Sequence, residues 1–263
     1  MPIEIESADD PRVADFVGLR ERATSPEDKF FIAESSLVVR RLITSSFQIR
    51  SFLLARAKYE RMKAIIDPVG APIYVAEAEI MKQIAGFNVH RGVLASARRR
   101  PTPALFDVMS GARRLLVLEG SNDAENIGAI ARSALALGFD ALVLDPTCAD
   151  PYSRRAIRVS MGEILHLPVV RCSQWPDPIE FIAKGGFETW ALTPSPTANN
   201  LYEMGMPEKV ALVAGAEGAG LSAAARRITQ FDVRIPMHRG ADSLNLGHAL
   251  AIAMAATALP VGG

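Results

Sequence analysis

The chain has 263 residues, enough for one large domain or two of ordinary size, and 49% of them are apolar, so a sizeable core is affordable. Lys+Arg and Asp+Glu stand at 29 each. Bulk charge therefore announces no polyanionic partner, although a local basic patch can still serve one. Two cysteines, Cys148 and Cys172, with no Cys or His at metal-ligand spacing, argue against a zinc site and a disulfide framework.

The first stretch, MPIEIESADD, is acidic and lacks an apolar core, so no secretory signal is expected. FFIAES (30–35) reads as a strand running into the helical spacing of SLVVRRLIT. IRSFLLA (49–55) is rich in β-formers, APIYVA (71–76) is a further short strand before EAEIMKQIAG, and RGVLASA (91–97) closes a small α/β domain. ARRRPTPALFDVMSGARR (97–114) then combines three arginines, two prolines and a glycine and reads as a linker, because proline removes a backbone donor.

Beyond it, strands are expected at RLLVLEG (114–120), ALVLDP (141–146), LPVVRC (167–172), ETWALTP (188–194), VALVAGA (210–216) and DVRIPM (232–237). Helices are expected over 126–138, 153–165, 177–185, 222–230 and 244–258. Continuous apolar strands alternating with helices imply a parallel sheet covered on both faces. The longest apolar run, Ala249 to Val261, is too short to span a membrane. A protein of the reducing cytoplasm is the economical expectation.

Ligands of open parallel sheets bind beyond the carboxyl ends of the strands, and three such loops stand out. In EGSNDAENIGAIARSALALGF (119–139), Asn126 sits where an N-cap is expected, Ile127, Ile130, Ala131 and Ala134 form a buried helical face, and Arg132 lies off that face. A capped helix with a solvated arginine is the plain alternative. In VALVAGAEGAGLS (210–222), Gly215, Gly218 and Gly220 let the backbone approach a ligand closely. Leu221 stands where a phosphate loop needs lysine, so that reading is rejected. A ligand-free tight turn stays open, but Glu217 is an acid that a mere turn does not need.

In IPMHRGADSLNLGHALAIAMAA (235–256), a loop with Gly240, Asp242, Ser243 and Asn245 runs into an apolar helix. Ser243 or Asn245 suffices as a cap, and the surplus of polar groups suggests work beyond capping. The histidines, His90, His166, His238 and His248, are scattered and read as structural.

Taken in order, NIGAIARSA, GAEGAGL and IPMHRGADSLNLG resemble the three motifs of the SpoU/TrmH-type RNA 2′-O-ribose methyltransferases, over roughly residues 113–258. RRAIRVSMGEILHLPVV (154–170) is similar to the segment between the first two motifs. In the amino-terminal part, FIAESSLVVRRLI and HRGVLA are similar to the small ribosomal-protein-like module that accompanies many such enzymes. The resemblance implies an α/β fold in which a parallel-sheet catalytic domain, residues 113–263, carries a C-terminal deep trefoil knot. An N-terminal α/β RNA-binding domain, 1–97, and a linker, 98–112, would precede it. It also implies S-adenosylmethionine as methyl donor, RNA as substrate, pairing into a homodimer through the catalytic domain, and no metal.

Carried over by motif position, Gly215, Ile235 and Leu244 would contact the donor, with Ala214, Met237 and Gly218 beside them. Asn126, Arg132, Glu217, Ser243 and Asn245 would form the reacting centre. The chain departs from the family where Leu246-Gly247 replaces Val-Ser. RNA would need basic surface, for which Arg98, Arg99, Arg100, Arg154 and Arg155 are the main candidates, with Arg113, Arg114 and Arg158 behind them. Two other readings compete. A catalytically inactive RNA-binding protein would share the fold. A nucleotide-cofactor oxidoreductase would need a G-x-G-x-x-G turn that does not follow RLLVLEG.

Overall fold

The computed structural model describes residues 2–20, 25, 27–89, 92–238 and 242–258; His90, Gly240 and the end of the terminal apolar run, from residue 259 on, lie outside them. The chain divides into two compact units. One comprises residues 1–101 together with 152–166, the other 102–151 and 167–263.

The first unit contains β1 (Ile3–Ile5), β2 (Phe30–Glu34), α1 (Ser36–Thr44), β3 (Ile49–Ala55), α2 (Arg56–Ile66), β4 (Ile73–Ala76), α3 (Ala78–Ala85) and β5 (Val93–Arg98). Its five described strands run in the order β1-β4-β3-β5-β2. β5 is antiparallel to both neighbours, while β1, β4 and β3 are mutually parallel. The core beneath includes Phe16, Leu19, Ile32, Leu53, Met81 and Leu94.

The second unit begins with α4 (Leu105–Met109), β6 (Arg114–Leu118), α5 (Ala124–Ala136) and β7 (Ala141–Leu144). The chain then makes α6 (Arg154–Val159), which is grouped with the first unit and packs on β2. It returns through β8 (Val169–Arg171), α7 (Asp177–Lys184), β9 (Glu188–Leu192), β10 (Asn199–Asn200), β11 (Val210–Ala214), α8 (Ala223–Ile228), β12 (Phe231–Arg234) and α9 (Leu246–Thr257).

Seven described strands form one sheet in the order β10-β12-β9-β11-β6-β7-β8, and every pairing is parallel. The central strands RLLVL, ALVL and VALVA are buried along their whole length, as a sheet covered on both faces requires. Alternation sends Leu115, Val117, Val143, Ala211 and Val213 to one face, against Ile179 and Ile182 of α7 and Ala225 of α8. α9 packs against β11 and α5.

Several elements differ from the sequence expectation. α4 occupies the stretch read as linker, and its Met109 is buried in the core of the second unit. The proline-rich approach stops at Pro103, so nothing prevents a short helix after it. α2, the two short strands β1 and β10, and the 3-10 turn of Glu163–Leu165 that ends the α6 region were not anticipated. β12 stops at Arg234, leaving Ile235, Pro236 and Met237 in an irregular segment after the sheet.

Candidate active site

Three loop ends meet at the carboxyl edge of the parallel sheet. A cavity of about 410 Å³ opens there. One wall is the turn after β11, from Ala214 through Gly215 and Glu217 to Gly218; another is Ile235 and Met237 beyond β12; Ser243, Leu244 and Asn245 close it from the start of α9. All six residues expected to contact a donor thus line one cavity, as do Glu217, Ser243 and Asn245 of the expected reacting centre.

The β11 turn is compact because its glycines allow it. Gly218 and Gly220 take φ of +83° and +67°, a region that L side chains rarely occupy. A Cβ on Gly215 would lie 2.0 Å from the carbonyl carbon of Gly220, so the two legs of the turn touch with no side chain between them. An isolated bridge between Ala216 and Gly220 closes the turn.

Glu217 is the junction of the site. Its Oε1 accepts from Asn245 Nδ2 at 2.6 Å, from Asn126 Nδ2 at 3.1 Å and from the Leu246 backbone N–H at 3.3 Å. Asn245 Nδ2 also lies 3.4 Å from Asn126 Oδ1. Asn245 serves as the N-cap of α9, its Oδ1 accepting from Gly247 N at 2.9 Å and His248 N at 3.3 Å. One asparagine therefore caps the helix and binds the carboxylate, using its oxygen for one task and its amide for the other.

Asn126 is not the cap of α5. Asp123 holds that position, accepting from Glu125 N at 2.8 Å, and Asn126 lies in the first turn with its amide turned to Glu217. An acid is an equally good cap and sits where the chain is still extended, which frees the asparagine. Arg132 lies six residues further along α5, exposed, and does not line the cavity. At 1.5 Å per residue it stands about 9 Å from Asn126 along the helix axis.

Leu192, Thr193 and Pro194 also line the cavity, and no role was expected of them from sequence. Leu192 ends β9 and Thr193 and Pro194 follow it; β9 lies between β11 and β12 in the sheet. The rule that pointed to the other loops applied to this one; what was missing was the strand order.

The basic residues have different fates. Arg98 and Arg100 are exposed, Arg99 is half-buried, and the guanidiniums of Arg99 and Arg100 lie 5.7 Å and 5.9 Å from the ring centres of Tyr152 and Phe47. Arg155 and Arg158 are exposed on α6. Arg154 turns inward. It donates to Leu19 O at 2.6 Å and Glu34 Oε2 at 3.0 Å and lies over Phe87, so its guanidinium is occupied within the first unit.

Arg113 is exposed, with Glu208 3.8 Å away. Arg114 corrects the expectation of a surface cation, being 0% exposed. It donates to the carbonyls of Thr257, Glu208, Arg113 and Pro207, and burial lowers its pKa from the ordinary arginine value. Burial pushes the Cys148 thiol up to about 12, which leaves it protonated and no nucleophile at neutral pH. Among the described residues no group of three or more His, Cys, Asp or Glu is placed to hold a metal ion, and no helix is long and apolar enough to cross a membrane.

Residues 113–255 match the SpoU rRNA Methylase family over more than half of the chain. The chain belongs to the SpoU family. Among its relatives is an uncharacterized tRNA/rRNA methyltransferase of Mycobacterium bovis, 45% identical over 93% of this chain and 88% of that protein. The 23S rRNA (guanosine(2553)-2′-O)-methyltransferase RlmP of Bacillus subtilis is 25% identical over 95% and 96% of the two chains. The fold is also that of the AdoMet-bound rRNA methyltransferase from Sinorhizobium meliloti, with a TM-score of 0.81 and 24% identity, over 97% of each chain. The SpoU match begins one residue before β6 and ends within α9, so it contains all three loop ends that build the cavity.

Proposed function

We propose that this SpoU protein transfers the methyl group of S-adenosylmethionine to a ribose 2′-hydroxyl of ribosomal or transfer RNA. The observation that carries the reading is the junction of Glu217 with Asn126 and Asn245, which ties the first motif to a cavity lined by the second and third. The cavity fits such a donor in size and character. At about 410 Å³ it lies in the range of small-molecule sites, roughly 300–1,000 Å³. Its walls are mostly apolar, with Thr193, Glu217, Ser243 and Asn245 as polar groups. The absence of a side chain at Gly215 lets the two legs of the turn close on one another, which shapes this wall of the cavity.

When bound, the donor supplies a methyl group made electrophilic by its sulfonium. The residues of the chain hold the acceptor oxygen in line with it. Positioning of this kind can lower a barrier by about 7–11 kcal/mol, against roughly 3–5 kcal/mol for a general base acting about 10²–10⁴-fold. Ala214, Gly215, Gly218, Ile235, Met237 and Leu244 form the donor-binding walls. Glu217 fixes the amides of Asn126 and Asn245, and Ser243 stands at the same rim. Arg132 positions the ribose-phosphate and stabilises the developing alkoxide, since a guanidinium does not give up its proton to serve as a base. Its place outside the cavity supports this division of labour.

In this reading residues 113–263 form the methyl-transfer domain, with a C-terminal trefoil knot. Residues 1–97, with 152–166 grouped among them, form an RNA-binding module, and 98–112, which include α4, lead from it into the methyl-transfer domain. The RNA phosphates meet Arg98, Arg99, Arg100 and Arg155. The protein works in the cytoplasm as a homodimer paired through the catalytic domain, and needs no metal. The packing of α9 against α5 and β11 after the chain has passed β12 is the arrangement that supports the knot. The test is Arg132→Ala: turnover should be abolished while calorimetric affinity for S-adenosylmethionine stays within about threefold of the wild type. A large loss of donor affinity would contradict this assignment of roles.

A further inference from the structure

Glu119 takes no part in the mechanism above, yet its carboxylate joins two segments that are far apart in sequence. It follows β6, and its backbone N–H donates to Ala214 O at 2.9 Å, extending the β6–β11 pairing by one step. Its Oε1 accepts from the indole Nε1 of Trp175 at 2.6 Å, and its Oε2 accepts from the backbone N–H of Ser222 at 2.7 Å. Ser222 is the N-cap of α8 and the first residue after the turn that carries Glu217. Trp175 and Leu221 both pack against the core cluster below the sheet.

We infer that Glu119 is a positioning residue that anchors the outgoing leg of the Gly215–Leu221 turn and so sets Glu217 against Asn126 and Asn245. The incoming leg needs no such device, because it continues β11 and is held by the sheet. The outgoing leg leaves the turn at Gly220 in a left-handed conformation and reaches no strand before α8. Among its attachments are the bridge back to Ala216, the packing of the half-buried Leu221 and the Glu119 carboxylate. The carboxylate is the strongest of the polar ones, since hydrogen bonds to a charged acceptor are shorter and stronger than neutral ones. Losing it frees the leg to lift. Because the two legs touch at Gly215 and Gly220, the cavity wall and Glu217 then move together.

The inference rests on the donor reading of the cavity only for its functional consequence; the anchoring itself is read without a donor. The experiment compares wild type, Glu119→Ala, Glu119→Gln and Trp175→Phe. Amide hydrogen exchange of the ligand-free proteins should show faster exchange at residues 215–222 in Glu119→Ala than in wild type, with β6 and β11 unchanged. S-adenosylmethionine affinity and the donor KM should weaken by roughly ten- to a hundredfold, the loss expected for a charged hydrogen bond, with a smaller fall in kcat.

Glu119→Gln should recover part of the affinity, because its amide oxygen can accept one of the two N–H groups and its amide nitrogen cannot accept the other. Trp175→Phe should stay within about threefold of wild type, since the Ser222 anchor persists. Should Glu119→Ala fail to fold, Glu119→Gln carries the comparison. Wild-type exchange at 215–222 together with wild-type donor KM in the folded Glu119 variants overturns the inference. A wild-type protein that binds no donor, with faster exchange at 215–222 in the Glu119 variants, leaves the anchor standing and removes the donor reading.

Discussion

A single carboxylate oxygen collects two side-chain amides and a backbone N–H from two distant parts of the chain, and this makes Asn126 a sharp probe of the site. Asn126→Ala removes one donor and leaves the others in place. Asn126→Asp instead sets a second carboxylate about as close to Glu217 as the present 3.1 Å contact, where like charges repel. At neutral pH the Asp variant should therefore be the less active of the two. Protonation of the introduced carboxyl gives an O–H that can donate, so activity relative to wild type should recover as pH falls toward about 5. The Ala variant should show no such recovery. Equal pH profiles for the two variants, measured as kcat/KM, would contradict the assigned contact. Asn126, Glu217 and Asn245 could be picked out as residue types at motif spacing. Their mutual bonds could not, because residues 126, 217 and 245 meet only through tertiary folding. The same separation hid Glu119, whose partners are 56 and 103 residues away.

At the scale of elements, α9 carries a helical face to the cavity at one end and is held by Arg114 at the other. Leu246 and Ala249 line the cavity, while Thr257 O accepts from Arg114 Nε at 2.6 Å. A guanidinium at a helix C-terminus meets carbonyls with no partner inside the helix and complements the negative end of its dipole. Arg114→Met keeps the volume and strips all these donors, leaving several carbonyls buried and unpaired. The cost should be about 3 kcal/mol, a fall in melting temperature of roughly 6–12 °C. An unchanged melting temperature would show that the carbonyls find other partners. The strands of the second unit were legible because continuous apolar runs between helices have few other readings. Arg114 was misread because a charged pair, Arg113-Arg114, at the head of a strand looks like surface. Nothing in the local pattern says that carbonyls from residues 207, 208 and 257 converge there.

For the whole molecule, the seven described strands of the second sheet place the ends of β9, β11 and β12 side by side, although the strands are separated in the chain by other elements. That order brings the second and third motifs together with the end of β9 around one cavity, and it is a property of tertiary pairing that alternation along a sequence does not encode. The grouping of residues 152–166 with the first unit is a second such feature: a crossover between β7 and β8 of one sheet carries α6 onto β2 of the other. The SpoU resemblance, carried by three motifs in order, lent the site a chemistry that composition and periodicity could not. The most direct measurement follows the label itself: total RNA is incubated with the protein and S-adenosylmethionine bearing a deuterated methyl group, then digested to nucleosides and weighed by mass spectrometry. The account predicts the label on a ribose 2′-oxygen; label on a base, or none in the RNA, would contradict it.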